Sequence, residues 1–167
     1  VHAGEGARSR GPKAEHDAES LRREVQENPD NSRAQFYLAQ SLRDSGDIKG
    51  AMAAYAKRAS MGDASMPEEV YISLLEYARL LAKSGTVEDY QTVEAAFLAA
   101  WLARPIRAEA LGSLAVYCLN TSRPFQAATF ALMAAGIGKP QDRLFIEEDW
   151  HDWKALEVFA EASYEAG

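Results

Sequence analysis

Apolar residues recur at three- and four-residue steps along most of this chain, the spacing that places side chains on one face of a helix. The pattern is clearest over residues 36–58. Leu38, Ala39 and Leu42 share one stripe, and Gly46 halts it where a left-handed C-cap favours a residue without Cβ. Asp47 then stands as an N-cap for a second stripe of Ile48, Ala51 and Tyr55. This reads as a helix hairpin with small Ala51 where the two helices come close.

Related hairpins follow. Before the first, a helix is expected from His16 with Leu21 and Val25 on one face, ended by Asn28-Pro29. Pro67-Glu68-Glu69 suits a helix N-terminus, and Leu74, Tyr77, Ala78 and Leu81 follow up to Ser84-Gly85. Its partner runs from about Val87 to Ala103 with Val93, Phe97 and Ala100 inward, and Pro105 closes it. A third pair sets Leu111, Leu114, Ala115 and Cys118 before an Asn120-Thr121-Ser122 turn and Ala127, Ala131 and Ala134 after it. Gly138 and Pro140 break the pattern, and a last helix from about Asp149 carries Leu156, Phe159 and Ala160. No stretch alternates with period two, so the predicted fold class is all-α.

The turns at Gly46, Gly85 and Ser122 lie roughly 40 residues apart, and an apolar-Ala step precedes each: Leu38-Ala39, Tyr77-Ala78, Leu114-Ala115. Phe159-Ala160 repeats the first half of that unit. The pattern resembles the tetratricopeptide repeat, whose period is about 34 residues. The resemblance implies a right-handed superhelix of antiparallel helix pairs, with about three and a half pairs after a leading helix. On this plan residues 1–14 form a linker or tail and residues 15–167 the repeat domain. The early aromatic of each first helix is replaced by Gln35, Leu74 and Leu111, Arg58 stands at a small-residue position, and Val93 replaces an alanine.

Composition narrows the function. A net charge of −7 and a pI near 5.0 disfavour nucleic acid, which calls for clustered Lys and Arg. The single Cys118 excludes an internal disulfide and a cysteine-rich zinc site, and fits a reducing compartment. The longest strongly apolar run, residues 95–103, is short of the ~20 residues a membrane helix needs. With no signal peptide in view, the expected location is cytoplasmic. A first residue of Val suggests a piece of a longer protein.

Four strings carry a closer resemblance: N-S-R-A-Q-F-Y-L-A-Q-S-L-R-D-S-G-D from Asn31, K-R-A-S-M-G from Lys57, A-R-P-I-R-A-E-A-L from Ala103 and L-F-I-E-E-D-W-H-D-W-K-A-L from Leu144. In this order they resemble the repeat region that follows the catalytic domain of bacterial family-2 glycosyltransferases. The resemblance implies a non-catalytic helical module of a sugar-transferring enzyme, for acceptor or partner binding or subunit association. The metal-binding D-x-D of such catalytic domains does not occur in this sequence. The alternative, from the repeat pattern alone, is a free-standing adaptor holding a protein or peptide in its concave groove.

No catalytic, cofactor or metal site is predicted. His151 lies among Glu147, Glu148, Asp149 and Asp152, which reads as acids gathered at a helix N-terminus more readily than as ligands. Cys118 takes an apolar repeat position, that of a structural thiol. Without strands there is no place for a phosphate-cradling glycine loop. The Lys/Asn/Arg set with which some tetratricopeptide domains grip a C-terminal carboxylate is replaced by Phe36, Gln40, Glu76, Glu109 and Ser113. Phe36, Tyr37, Gln40 and Arg43 remain as candidate groove residues. Leu98, Trp101 and Leu102 form a second apolar stripe, the candidate outer contact with a catalytic domain or a second copy of the chain.

Overall fold

The computed structural model describes residues 10–62, 64–85 and 89–167, and all its regular structure is helical. The helices are α1 (Arg10–Glu27), α2 (Ser32–Ser45), α3 (Ile48–Ser60), α4 (Pro67–Ser84), α5 (Tyr90–Ala103), α6 (Glu109–Asn120), α7 (Pro124–Ala135), α8 (Asp149–Asp152) and α9 (Lys154–Glu165). They form two compact units, Val1–Leu80 and Leu81–Gly167.

Local chemistry accounts for the helix ends. Asn31 accepts a hydrogen bond from the Ala34 amide at 3.0 Å to open α2, and Asp47 accepts from Gly50 at 2.9 Å to open α3. Between them Gly46 sits at φ 88°, its amide returning to Arg43 and Leu42 carbonyls. Asp89 caps α5 through the Gln91 amide, and Pro124 stands at the start of α7, where a missing N–H costs nothing.

In the first unit, α2 packs on α1 and α3. Ala39 and Ala51 are fully buried, as are Tyr55 and Tyr71. Gln35, which replaces the repeat's aromatic, is buried too and donates to the Ala54 carbonyl of α3 at 3.1 Å, so a polar side chain is satisfied on the neighbouring helix. In the second unit α6 packs on α5 and α7, and α9 lies on α7 and α6. Leu111, Ala115, Ala131, Ala134, Trp150 and Val158 form its apolar core.

Several boundaries differ from expectation. Helix α1 already runs from Arg10, inside the expected tail, and residues 1–9 lie outside the described ones. Val87, the expected start of α5, also lies outside them. Ile48 is half-exposed at the first turn of α3 rather than inward. The last helix is divided at Trp153, whose φ of −147° leaves the helical region. Trp150 of α8 sits against Gly112, where an added Cβ would meet the indole at 2.3 Å.

Candidate functional site

The densest polar arrangement lies inside the second unit, at Arg107. This arginine occupies the turn between α5 and α6 and is fully buried, as is Glu109 at the start of α6. Its Nε donates to both Glu109 oxygens at 3.0 Å, and Nη2 donates to Oε1 at 2.7 Å. The remaining donors reach across the chain to the segment between α7 and α8. Nη1 meets Asp142 at 3.3 Å and the Leu144 carbonyl at 3.1 Å, and Nη2 meets the Phe145 carbonyl at 2.9 Å. Arg104 grips the same Asp142 through Nε and Nη2. Glu109 in turn accepts the Glu147 amide at 3.2 Å, and Glu147 accepts the Trp150 indole N–H at 3.1 Å.

A guanidinium offers five donors in a rigid fork, which is why one arginine can hold a carboxylate and two carbonyls at once. Two arginines and two carboxylates balance in charge, so none is buried uncompensated. Burial by itself pushes the Glu109 carboxyl up and is the largest single influence, but the hydrogen bonds from Arg107 and from backbone amides, together with the Arg107 charge, outweigh it and hold the group below the ordinary range. Arg104 does the same for Asp142. Phe145 pays a backbone cost here, at φ 48° without being glycine. The strings A-R-P-I-R-A-E and L-F-I-E-E-D-W therefore close on each other. The arrangement clamps a loop.

His151 belongs to this clamp. Its side chain is fully buried, with Nε2 3.7 Å from Glu109 and Nδ1 3.5 Å from the Ile137 carbonyl. Among the acids around it, Glu147 holds Trp150, and Glu148 faces Lys139 at 3.0 Å on the surface. No group of three or more His, Cys, Asp or Glu that could hold a metal ion occurs among the described residues. Cys118 is buried, and burial pushes its thiol up to about 11, away from the thiolate a nucleophile requires.

The candidate groove residues lie on α2 in the first unit, and their settings diverge. Phe36 is 2% exposed and takes a core position, so its ring is not offered to a ligand. Tyr37 is 41% exposed and carries the Arg33 guanidinium over its ring at 5.4 Å. Gln40 is half-buried. Arg43 bridges Asp44 at 3.0 Å and Glu76 of α4 at 2.9 Å, while Arg79 holds the other Glu76 oxygen at 3.1 Å. This face is thus already paired within itself.

No protein-family model and no curated protein matches this chain.

The outer stripe on α5 is split as well. Leu98 and Trp101 pack against the apolar core of their own unit, and only Leu102 stands out, at 66% exposed. Helix α5 is apolar on more than one side, and periodicity does not say which side a neighbouring helix covers. Trp101 is spent on packing and is not an exposed anchor.

Two buried ion pairs escaped the sequence reading, Arg107 with Glu109 and Arg58 with Glu69. Arg58 in α3 is fully buried; its Nη2 donates to Glu69 of α4 at 3.0 Å and its Nη1 to the Gly62 carbonyl at 2.7 Å. The signal was present as a charged residue at a small-residue repeat position. A charge in a core position points to a buried partner.

Proposed function

We propose that the chain is a non-catalytic helical-repeat module of a bacterial family-2 glycosyltransferase, of tetratricopeptide type, that positions an acceptor or holds subunits together. The observation that carries this reading is the Arg107 clamp. Two of the four strings that resemble that group meet there, so the resemblance follows residues with a joint structural task and not scattered likeness. The absence of D-x-D in the sequence supports the same reading, as does the inward pairing of each buried charge described above. No helix among the described residues is long and apolar enough to cross a membrane, which accords with a module that works in an aqueous compartment.

The test combines the isolated chain with the polypeptide made from its whole reading frame. Titration calorimetry of the isolated chain with nucleotide-sugars should give no saturable binding, and hydrolysis should stay at background. The whole polypeptide should bind a nucleotide-sugar and transfer the sugar. Saturable binding by the isolated chain, or a reading frame without any nucleotide-sugar-binding domain, overturns the proposal.

A further inference from the structure

His151 leaves the hydrogen bonding of the Arg107 clamp unclosed. Its side chain is fully buried, and Nε2 has no hydrogen-bond partner. Both ring nitrogens face acceptors: Nε2 lies 3.7 Å from Glu109 Oε2, and Nδ1 lies 3.5 Å from the Ile137 carbonyl. A neutral imidazole carries one N–H and one lone pair, so in either tautomer a lone pair is turned to an oxygen. An imidazolium carries two N–H groups and can meet both oxygens. A buried polar atom set against its own kind has given up water for nothing, which is why such contacts call for an explanation. Glu109 opens α6 and Ile137 follows the end of α7, so the ring stands between the two parts that the clamp joins.

The surrounding charges are mixed. The carboxylate within ion-pair distance of the ring is that of Glu109, which Arg107 holds in turn. The segment between α7 and α8 brings Asp142, gripped by Arg104 and Arg107, and Glu147, bonded to the Trp150 indole. Helix α7 has no ionisable side chain. On α8 itself Asp149 and Asp152 are exposed, Glu148 pairs with Lys139 at the surface, and Lys154 of α9 lies 4.3 Å over the Trp150 ring. We propose that His151 is a proton-operated latch on the clamp. Doubly protonated, the ring donates from Nε2 to Glu109 and from Nδ1 to the Ile137 carbonyl, and it ties the segment after α7 to α6 as a third cation. When the proton leaves for solvent, one of the two contacts is lost and residues 137–148 open more often. Mild acid therefore tightens this part of the second unit, and mild base loosens it.

Amide hydrogen exchange on the chain reads the latch directly, because the Glu147 amide donates to Glu109 and exchanges only when the clamp opens. Exchange is compared at about pH 5.5 and about pH 7.5, the interval in which histidines change charge, after correction for the intrinsic rate. Glu109 and Asp142 are held below the ordinary carboxylate range, so neither changes charge in that interval. Opening at Glu147 should be about tenfold rarer at the lower pH, as suits one added charge-assisted hydrogen bond. Amides of α2 in the first unit should show no such change. In His151→Gln the difference at Glu147 should vanish. Should that variant fail to fold, the ring ¹⁵N shifts of the unaltered chain serve instead: the loosening at Glu147 must follow the loss of the second ring proton of His151. Equal opening at both pH values overturns the proposal. So does a pH effect that survives His151→Gln, or one that does not follow the charge of this ring.

Discussion

Arg58 in the first unit and Arg107 in the second are both fully buried, yet they hold different things. Arg58 acts over a short span: its carboxylate partner Glu69 and the Gly62 carbonyl both lie a few residues along, across the connection from α3 to α4. Glu69 also has the exposed Arg33 at 3.6 Å in reserve. Arg107 spans the unit, tying the start of α6 to a segment that lies beyond α7. Losing Arg58 frees one turn and leaves Glu69 a second cation. Losing Arg107 leaves Glu109 without its arginine and drops two carbonyls. The same side chain thus serves as a local brace in one place and as a long-range tie in the other.

The largest break in that comparison is Arg107→Leu. Removing one partner of a buried ion pair costs about 3–5 kcal/mol, and urea denaturation of the variant should lose that much. Changing Arg107→Met together with Glu109→Gln should recover part of the loss, because no carboxylate is then left uncompensated at the centre. Arg58→Leu should cost less, about 1–3 kcal/mol, since Glu69 keeps Arg33. Equal losses for the two arginines would erase the distinction between brace and tie. Gly112→Ala ranks with Arg58→Leu: its Cβ collides with Trp150, and overpacking of this kind costs about 1–3 kcal/mol. Thermal melts of this variant should show the loss without a change in helicity below the transition.

Acid sharpens the contrast. Glu109 and Asp142 are held below the ordinary carboxylate range, whereas unfolded carboxyls titrate near about 4. Between those values the unfolded chain binds more protons than the folded one, so stability falls as pH drops. The contribution is fully present above about pH 5 and is lost as pH falls through the depressed folded values. Urea midpoints should therefore decline below that point. The decline should flatten in the variant that combines Arg107→Met, Glu109→Gln and Asp142→Asn.

What the sequence made legible is the local part of this structure. Gly46, Asp47 and Gly85 announced their caps because a cap depends on the residues beside it. Ala39, Ala78 and Ala115 announced the inner stripe because period and size both favoured it. The clamp was not legible, because nothing in a loop containing Asp142 says which of the chain's arginines will meet it. What Leu98 and Trp101 pack against was not legible for a related reason: an apolar stripe states that burial is needed without saying against what. The seat of Trp150 on Gly112 was not legible either, because the two residues lie far apart in the sequence.

The smallest expected effect concerns a group that neither arginine helps. The Tyr55 hydroxyl is buried in the first unit without a hydrogen-bond partner, and burial pushes its titration upward. In the second unit the Trp101 indole N–H is in the same position. A buried donor without a partner has lost its water and gained nothing in return. Tyr55→Phe removes that donor while keeping the ring that fills the space between α2 and α3. The variant should be unchanged or more stable by up to about 1 kcal/mol, read as a shift of the urea midpoint at constant slope. A loss above about 1 kcal/mol would mean that the hydroxyl bonds to a buried water. Arg43 lies close enough to Tyr55 to act on it electrostatically, so Arg43→Met should leave the effect of Tyr55→Phe unaltered if the two share no hydrogen bond.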